Sequence, residues 1–324
     1  MPDPGTVVAL DVGQSGTRLA LSGNRNGITL PGLRGDQSVA DQLAGLVVRA
    51  CEIARDRGAA APTTVAIGST GVESPTVATE VATRLPGPGA PTPATAALTT
   101  MLIAHDSVTS HLGALAGEPG CVLAVGTGVV ALGVGTTTAR VDGWGSLVGD
   151  AGSGHWIGRA AVEAVLRAED GRGAPTTLRD RVADRFDGLD ALGVRLQQHP
   201  DRVRLIASVA RDVAELAGTD RIAAKITDDA GRELSQTVHV ACRRAGLLWG
   251  GLLDTEPAGP IVVTTGNALA SQPLRDAFET HLQVALPNRR RHDPAGDALT
   301  GAGLLPGIGA DTPLGRLVSR AVRR

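Results

Sequence analysis

The stretch VVALDVGQSGTRLALS, residues 7–22, decides how the fold is read. Two β-rich apolar runs, 6–12 and 17–22, flank GQSG, the pattern of two strands joined by a tight turn. Asp11 stands at the end of the first strand. Beside it, Gly13, Gln14, Ser15, Gly16 and Thr17 make a turn of small residues whose backbone N–H groups and hydroxyls can face an anion, while the acid can hold hydrated Mg²⁺. An ordinary hairpin with a solvated aspartate accounts for the same residues.

Working outward, residues from Asp36 carry apolar side chains at helical spacing (Leu43, Val47, Ala50, Ile53) and the helix stops at Gly58. TTVAIGSTG (63–71) reads as a strand running into a small-residue turn, and ALTTMLIAHDS (97–107) as another that ends on Asp106. Strand and helix therefore alternate, as in an α/β layer. A carboxylate that ends a strand and caps the next helix is held rigidly and can accept a proton from an attacking hydroxyl; a plain N-cap is its commoner role. The Pro/Gly-rich segment 84–94 reads as a surface loop, and GALAGEPG (113–120) as the domain boundary.

After that boundary the opening pattern returns. CVLAVGTGVVALGVG (121–135) is again strand, glycine turn, strand, which suggests duplication. Its AVGTGVVALG (124–133) also matches G-x-G-x-x-A, but a dinucleotide-binding loop must open a helix and VVALGVG suits a strand. A hairpin presenting Gly126, Thr127 and Gly128 to a phosphate fits better. Beyond Gly154 the chain turns mainly helical, interrupted by one late strand, GPIVVTTGN (259–267), and the tail is expected to finish in a short Arg-rich helix.

Composition removes several classes. A net charge of -2 and an aromatic content of 2% give no electrostatic or stacking case for nucleic acid, and no 18-residue apolar run suits a membrane span. The one lysine, Lys225, follows no glycine loop, which excludes a Walker A loop and the strand lysine of protein kinases. With no tyrosine, dehydrogenase chemistry that uses a Tyr base is excluded too. Cys51, Cys121 and Cys242 form no C-x-x-C pair and read as core thiols in a reducing cytosol. The start MPDPGTVVALDV lacks the features of an export signal, so a cytoplasmic location is expected. His105 and His111 flank Asp106 without sharing a helical face; His105 reads as a packing neighbour. His155, Trp156 and Trp144 read equally as pocket or core residues, and 288–292 (NRRRH) as a solvated basic turn or a phosphate contact.

Two motifs carry a family resemblance. DVGQSGTR (11–18) resembles the first phosphate loop of the hexokinase and actin superfamily, and GWGSLVGDAGSGHWIGRAAVEAV (143–165) is similar to a stretch of N-acetylglucosamine kinases, which share a branch with the ATPase activators of acyl-CoA dehydratases and reductases. The resemblance implies a two-lobed α/β fold, actin/hexokinase-like (a duplicated ribonuclease H-like fold), with a cleft between the lobes. The lobes would be 1–113, joined by the C-terminal helix at about 300–324, and 114–299, which carries a helical insertion. It implies an ATP:hexosamine kinase that phosphorylates a hydroxyl, O6, of an amino sugar such as N-acetylglucosamine or glucosamine, using ATP and Mg²⁺, as a homodimer.

By the same resemblance Asp106 is the catalytic base toward the sugar, and Asp11 orients the metal. Gly13 to Thr17 and Gly126-Thr127-Gly128 are the two phosphate loops. Gly266 and Asn267 lie under the adenosine, while Thr127, Gly149, Asp150 and Asp36 reach the sugar. Three departures stand out: the family's GDEGS reads GDAGS at 149–153, Val130 replaces an asparagine, and the Asn-His-Trp group that contacts sugar is not visible near Arg34-Gly35-Asp36-Gln37. The competing expectations are an ATPase activator holding an iron–sulfur cluster between subunits, which scattered cysteines disfavour, and a sugar sensor without turnover, which an intact Asp11 and Asp106 disfavour.

Overall fold

The computed structural model describes residues 6–14, 16–21, 24–34, 37–86, 93–248 and 259–323. Ser15, Gly35, Asp36 and part of the 84–94 loop lie outside the described residues. The chain divides into two compact units, Met1–Glu118 with Asp293–Arg324, and Pro119–His292.

The first unit runs β1 (Val7–Val12), β2 (Thr17–Leu21), β3 (Asn24–Leu30), α1 (Val39–Asp56), β4 (Thr64–Ser69), α2 (Val77–Arg84), β5 (Thr100–His105) and α3 (Asp106–Leu115). The second runs β6 (Gly120–Val125), β7 (Val129–Val134), β8 (Thr138–Asp142), α4 (Gly154–Glu169), α5 (Leu178–Arg185), α6 (Leu192–Gln198), α7 (Arg202–Ser208), α8 (Ala210–Leu216), α9 (Arg221–Arg244), β9 (Ile261–Thr265), α10 (Gln272–Ala285) and β10 (Arg290–Arg291). The chain then returns to the first unit with α11 (Ala298–Leu304) and β11 (Val318–Val322).

The sheets are ordered β11-β5-β4-β1-β2-β3 and β10-β9-β6-β7-β8. In each, an antiparallel three-strand meander is extended on its first strand by parallel strands: β4 and β5 in one, β9 and β10 in the other. Except for β11, the two units therefore repeat one topology, as the second glycine hairpin suggested. β10 takes up Arg290 and Arg291 of the basic 288–292 segment, and neighbouring Arg289 pairs with Glu279.

Period-2 alternation places the residues that matter. Val8, Leu10 and Val12 of β1 and Leu19 and Leu21 of β2 pack with Leu43 and Val47 of α1. Ala9 and Ala20 belong to the opposite face, against Leu299 and Ala302 of α11. Asp11 and Arg18, register partners in the β1–β2 ladder, share that second face. In the second unit Leu123 and Val125 of β6 pack with Ile157 and Val165 of α4, Leu234 and Val238 of α9, and Phe278 of α10. Truncating a fully buried leucine such as Leu10 in such a core costs about 2–5 kcal/mol.

Three sequence expectations are corrected. The tail is not a helix over 300–324: after α11 it enters two short 3₁₀ turns and then β11, antiparallel to β5. The open edge of β5 decides this, and the Ser319 hydroxyl fixes the new strand by accepting from Ala78 N (3.0 Å) and donating to the Pro75 carbonyl (2.7 Å). α1 begins at Val39 with Ser38 as its cap, not at Asp36. The cap of α3 is His105, whose Nδ1 accepts from Ser107 N (3.2 Å); Asp106 is the first helical residue.

Candidate functional site

In open α/β sheets ligands collect outside the carboxyl ends of the parallel strands. In the first unit those ends carry the residues singled out above: Asp11 near the end of β1 and Asp106 immediately after β5. The turn after β1 is closed by Gly13 N donating to the Gly16 carbonyl (3.0 Å). Gly13 and Gly16 are half-buried and Gln14 is exposed. Thr17 is turned inward, and its hydroxyl donates to the Pro31 carbonyl (2.8 Å).

Asp11 does not stand alone. Arg18 donates to Asp11 Oδ2 through Nε (3.0 Å) and Nη2 (2.6 Å), and through Nη1 to Asp297 Oδ2 (2.5 Å). Asp297 in turn caps α11, accepting at Oδ1 from the Thr300 amide (2.9 Å) and hydroxyl (2.9 Å). Burial pushes the Asp11 carboxyl above its ordinary range; the hydrogen bonds and charge of Arg18 oppose this, while Asp106 and Asp297 add to it. Burial likewise opposes ionisation of Asp297, but the Thr300 donors and Arg18 hold its pKa below the usual value. Asp106 Oδ1 is buried, lies 2.9 Å from His105 Nδ1 and receives no hydrogen bond from the described residues.

In the second unit three segments converge. The β6–β7 corner is closed by Gly126 N donating to the Gly128 carbonyl (2.9 Å). The first amides of α4 hold this corner, Gly154 N on the Gly126 carbonyl (2.9 Å) and His155 N on the Thr127 carbonyl (3.1 Å). Asp150 turns its carboxylate onto the same corner: Oδ1 accepts from Val129 N (3.0 Å), and a Cβ on Gly128 would come within 2.9 Å of Oδ2. Gly266, after β9, has φ +88°, and a Cβ there would lie 2.2 Å from the Val125 carbonyl oxygen. Gly266, Asn267 and Thr127 are exposed around the corner.

Sequence reasoning missed Asp142, which organises this site. Its carboxylate accepts from Gly143 N (2.7 Å) and Asp150 N (2.8 Å) at Oδ1 and from Ala151 N (3.0 Å) at Oδ2. Burial raises the Asp150 pKa; the Val129 amide opposes this and the charge of Asp142 adds to it. His155 is buried, which lowers its pKa, and the nearby Arg159 charge lowers it further. Trp156 packs against the core, whereas Trp144 is 71% exposed. Arg18 and Asp297 were missed as well. Arg18 sits inside the quoted motif, but its partner is 279 residues away.

Among the described residues no group of three or more His, Cys, Asp or Glu side chains could hold a metal by itself. Mg²⁺ in a nucleotide complex takes one or two carboxylates with phosphates and water. Asp11 fits such a part, because only its Oδ2 is used by Arg18. The corner at 126–128, with small residues and α4 behind it, fits a phosphate chain.

Two glycine corners on two sheets of one repeated topology define the duplicated α/β fold of the actin and hexokinase group. The chain belongs to the BadF/BadG/BcrA/BcrD ATPase family, whose model matches residues 33–305. It is 28% identical over 194 residues to the N-acetyl-D-glucosamine kinase of Dictyostelium discoideum, covering 57% of this chain and 58% of that protein. It is 26% identical over 217 residues to the N-acetylmuramic acid/N-acetylglucosamine kinase of Clostridium acetobutylicum, covering 62% of this chain and 65% of that one. The matched stretches thus span less than two thirds of either relative. Among solved structures, a Chromobacterium violaceum protein described as a candidate N-acetylglucosamine kinase superposes with a TM-score of 0.70 at 24% identity, over 93% of this chain and 99% of that one. A Streptomyces griseus glucokinase solved with glucose and AMPPNP gives 0.54 at 14% identity, over 94% and 100%. These structural likenesses carry the fold. No helix among the described residues is long and apolar enough to cross a membrane.

Proposed function

We propose that this protein is an ATP-dependent kinase that phosphorylates a hydroxyl, O6, of an amino sugar such as N-acetylglucosamine or glucosamine. The names of its two curated relatives support the substrate class. The observation that carries the chemistry is Asp106: a carboxylate near Asp11 whose Oδ1 accepts no hydrogen bond from the described residues, which suits a proton acceptor.

In this reading the sugar hydroxyl gives its proton to Asp106 as its oxygen bonds to the terminal phosphorus of ATP, and ADP leaves. Bound Mg²⁺ supplies neutralisation of the charge on the phosphate oxygens. Asp11 holds the metal, and Arg18, locked between Asp11 and Asp297, fixes the direction in which Asp11 points. Backbone groups of 13–17 and 126–128 line the phosphate chain, with the Thr127 hydroxyl exposed for it, and Gly266 and Asn267 support the adenosine. Asp150 and Gly149 orient the sugar, with Asp36 as a further contact. The expected setting is a cytoplasmic homodimer.

The test is a coupled ADP-release screen across glucosamine, N-acetylglucosamine, N-acetylmannosamine, N-acetylmuramic acid and glucose. Turnover on one or more of the amino sugars, dependent on Mg²⁺, is expected. ATP hydrolysis unaffected by every sugar, together with iron in the purified protein, would move the assignment to an ATPase activator. The burial of Cys51, Cys121 and Cys242 speaks against that outcome.

A further inference from the structure

α4 and α7 touch backbone to backbone at Gly158, where a Cβ would lie 1.9 Å from the Ile206 carbonyl oxygen. Next to this crossing lies a cavity of about 320 Å³, at the small end of the roughly 300–1,000 Å³ typical of ligand sites. Its floor is apolar: Val162 is buried, and Leu166 and Ile206 are half-buried. Its rim is charged, with Arg159, Arg167 and Arg172 against Glu163.

The arginines differ in what they already hold. Arg172 is committed to Asp170 through Nε (2.9 Å) and Nη2 (2.5 Å). Arg159 and Arg167 make no ion pair and no side-chain hydrogen bond among the described residues. Their neighbour Glu163, one helical turn from each, pairs with neither. Arg159 and Arg167 are eight residues apart, so their backbone positions are separated by about 12 Å along the axis of α4, and both line the cavity with the apolar floor.

We infer that this cavity binds a small amphipathic anion, its carboxylate, phosphate or sulfonate head on Arg159 or Arg167 and its apolar body on Val162, Leu166 and Ile206. A guanidinium presents paired donors that match the oxygens of such a head, and the floor gains by losing contact with water. Solvated arginines merely laying their stems over the floor are the alternative. None of the cavity residues belongs to either glycine corner, so the inference does not depend on the kinase reading.

The test uses a fluorescent member of the class. 8-Anilinonaphthalene-1-sulfonate is titrated against the whole protein, beside the uncharged N-phenyl-1-naphthylamine. Both arginines are exposed, so R159Q/R167Q is expected to keep the fold. The sulfonate should saturate one site per chain and bind at least about tenfold more weakly to R159Q/R167Q, as expected for loss of charge-assisted hydrogen bonds, with the neutral dye changed less than about twofold. A second variant, L166E, should weaken both dyes. W144S serves as the control for the exposed turn carrying Trp144, Leu147 and Val148. Sulfonate binding unchanged in R159Q/R167Q, an equal loss of both dyes in that variant, or loss in W144S would each overturn the assignment.

Discussion

The Asp142 carboxylate accepts the backbone amide of Asp150 at 2.8 Å, and both aspartates sit in left-handed backbone, φ +60° and +61°. For a residue with a Cβ that conformation costs on the order of 1–2 kcal/mol and persists only when its surroundings impose it. Here one carboxylate imposes it at both ends of the 143–149 turn. Asp150 then passes the constraint to Val129, beside the second glycine corner.

Removing the Asp142 carboxylate leaves three amides without their acceptor. Asp142→Ala is expected to destabilise the protein by about 2–4 kcal/mol, read as a lower urea midpoint with an unchanged slope. Asp142→Asn keeps one acceptor oxygen and costs less. It also removes a charge that raises the Asp150 pKa, so the Asp150 titration moves to lower pH, although burial, the larger influence, remains. An Ala variant as stable as the parent would show that the turn does not depend on this carboxylate.

Two glycines of the second unit should behave differently when given a methyl group. Gly266 is required both by its φ of +88° and by the Val125 carbonyl 2.2 Å from a would-be Cβ, whereas a Cβ on Gly126 meets nothing within 4 Å. Gly266→Ala is therefore expected to cost about 3 kcal/mol or more, and Gly126→Ala less than about 1 kcal/mol. Under the proposed function, Gly126→Ala still raises the KM for ATP, because the added group occupies space meant for phosphate. Thermal unfolding of the two variants side by side checks the contrast; equal losses would contradict the corner geometry.

The hairpins around Asp11 and around Gly126 were legible because turn chemistry and β-rich flanks are local signals. Asp142, Asp297 and β11 were not. An aspartate ending a short strand looks like any surface turn, and its left-handed backbone becomes affordable only once the amides of 150 and 151 fold back onto it. The Arg18–Asp297 pair joins residues 279 apart, and no spacing rule predicts such a pairing. LVSRAV reads as helix until the free edge of β5 makes strand the better partner. The cap of α3 falls one residue before Asp106 because histidine Nδ1 can accept the amide that an aspartate ordinarily takes.

Asp220 supplies a pH dependence that does not rest on the site. Burial alone raises its pKa, but Ile222 N (2.8 Å), Ala223 N (2.9 Å), Thr177 N (2.6 Å) and the hydroxyls of Thr176 and Thr177 (2.9 Å each) all donate to it and bring the value down to about 2. A folded pKa below the unfolded value of about 3.9 stabilises the native state by about 2–3 kcal/mol at neutral pH, and that contribution is lost as pH falls from about 4 through about 2. Asp220→Asn should thus show a stability deficit at pH 7 that narrows markedly by pH 2.5, measured by urea unfolding at each pH. A deficit independent of pH would mean that the ionised carboxylate is not what the five donors stabilise.

Asp106→Asn separates proton transfer from binding. Asparagine has the shape of aspartate and keeps the first position of α3, where the backbone carbonyl of residue 106 accepts the Thr109 hydroxyl (3.0 Å). Loss of the charge at this helix start costs only about 0.3–1 kcal/mol, so the fold is expected to stand. What disappears is an oxygen able to carry a proton: Oδ1 has no donor among the described residues, and the Nδ1 of His105 beside it already accepts from the Ser107 amide. If Asp106 takes the proton from the sugar hydroxyl, kcat should fall by about 10²–10⁴, while the dissociation constant for nucleotide changes less than about twofold. Near-parental turnover would remove Asp106 from the role of base. Loss of nucleotide binding along with turnover would assign it to holding the ligand in place, leaving the proton acceptor to be sought among other groups.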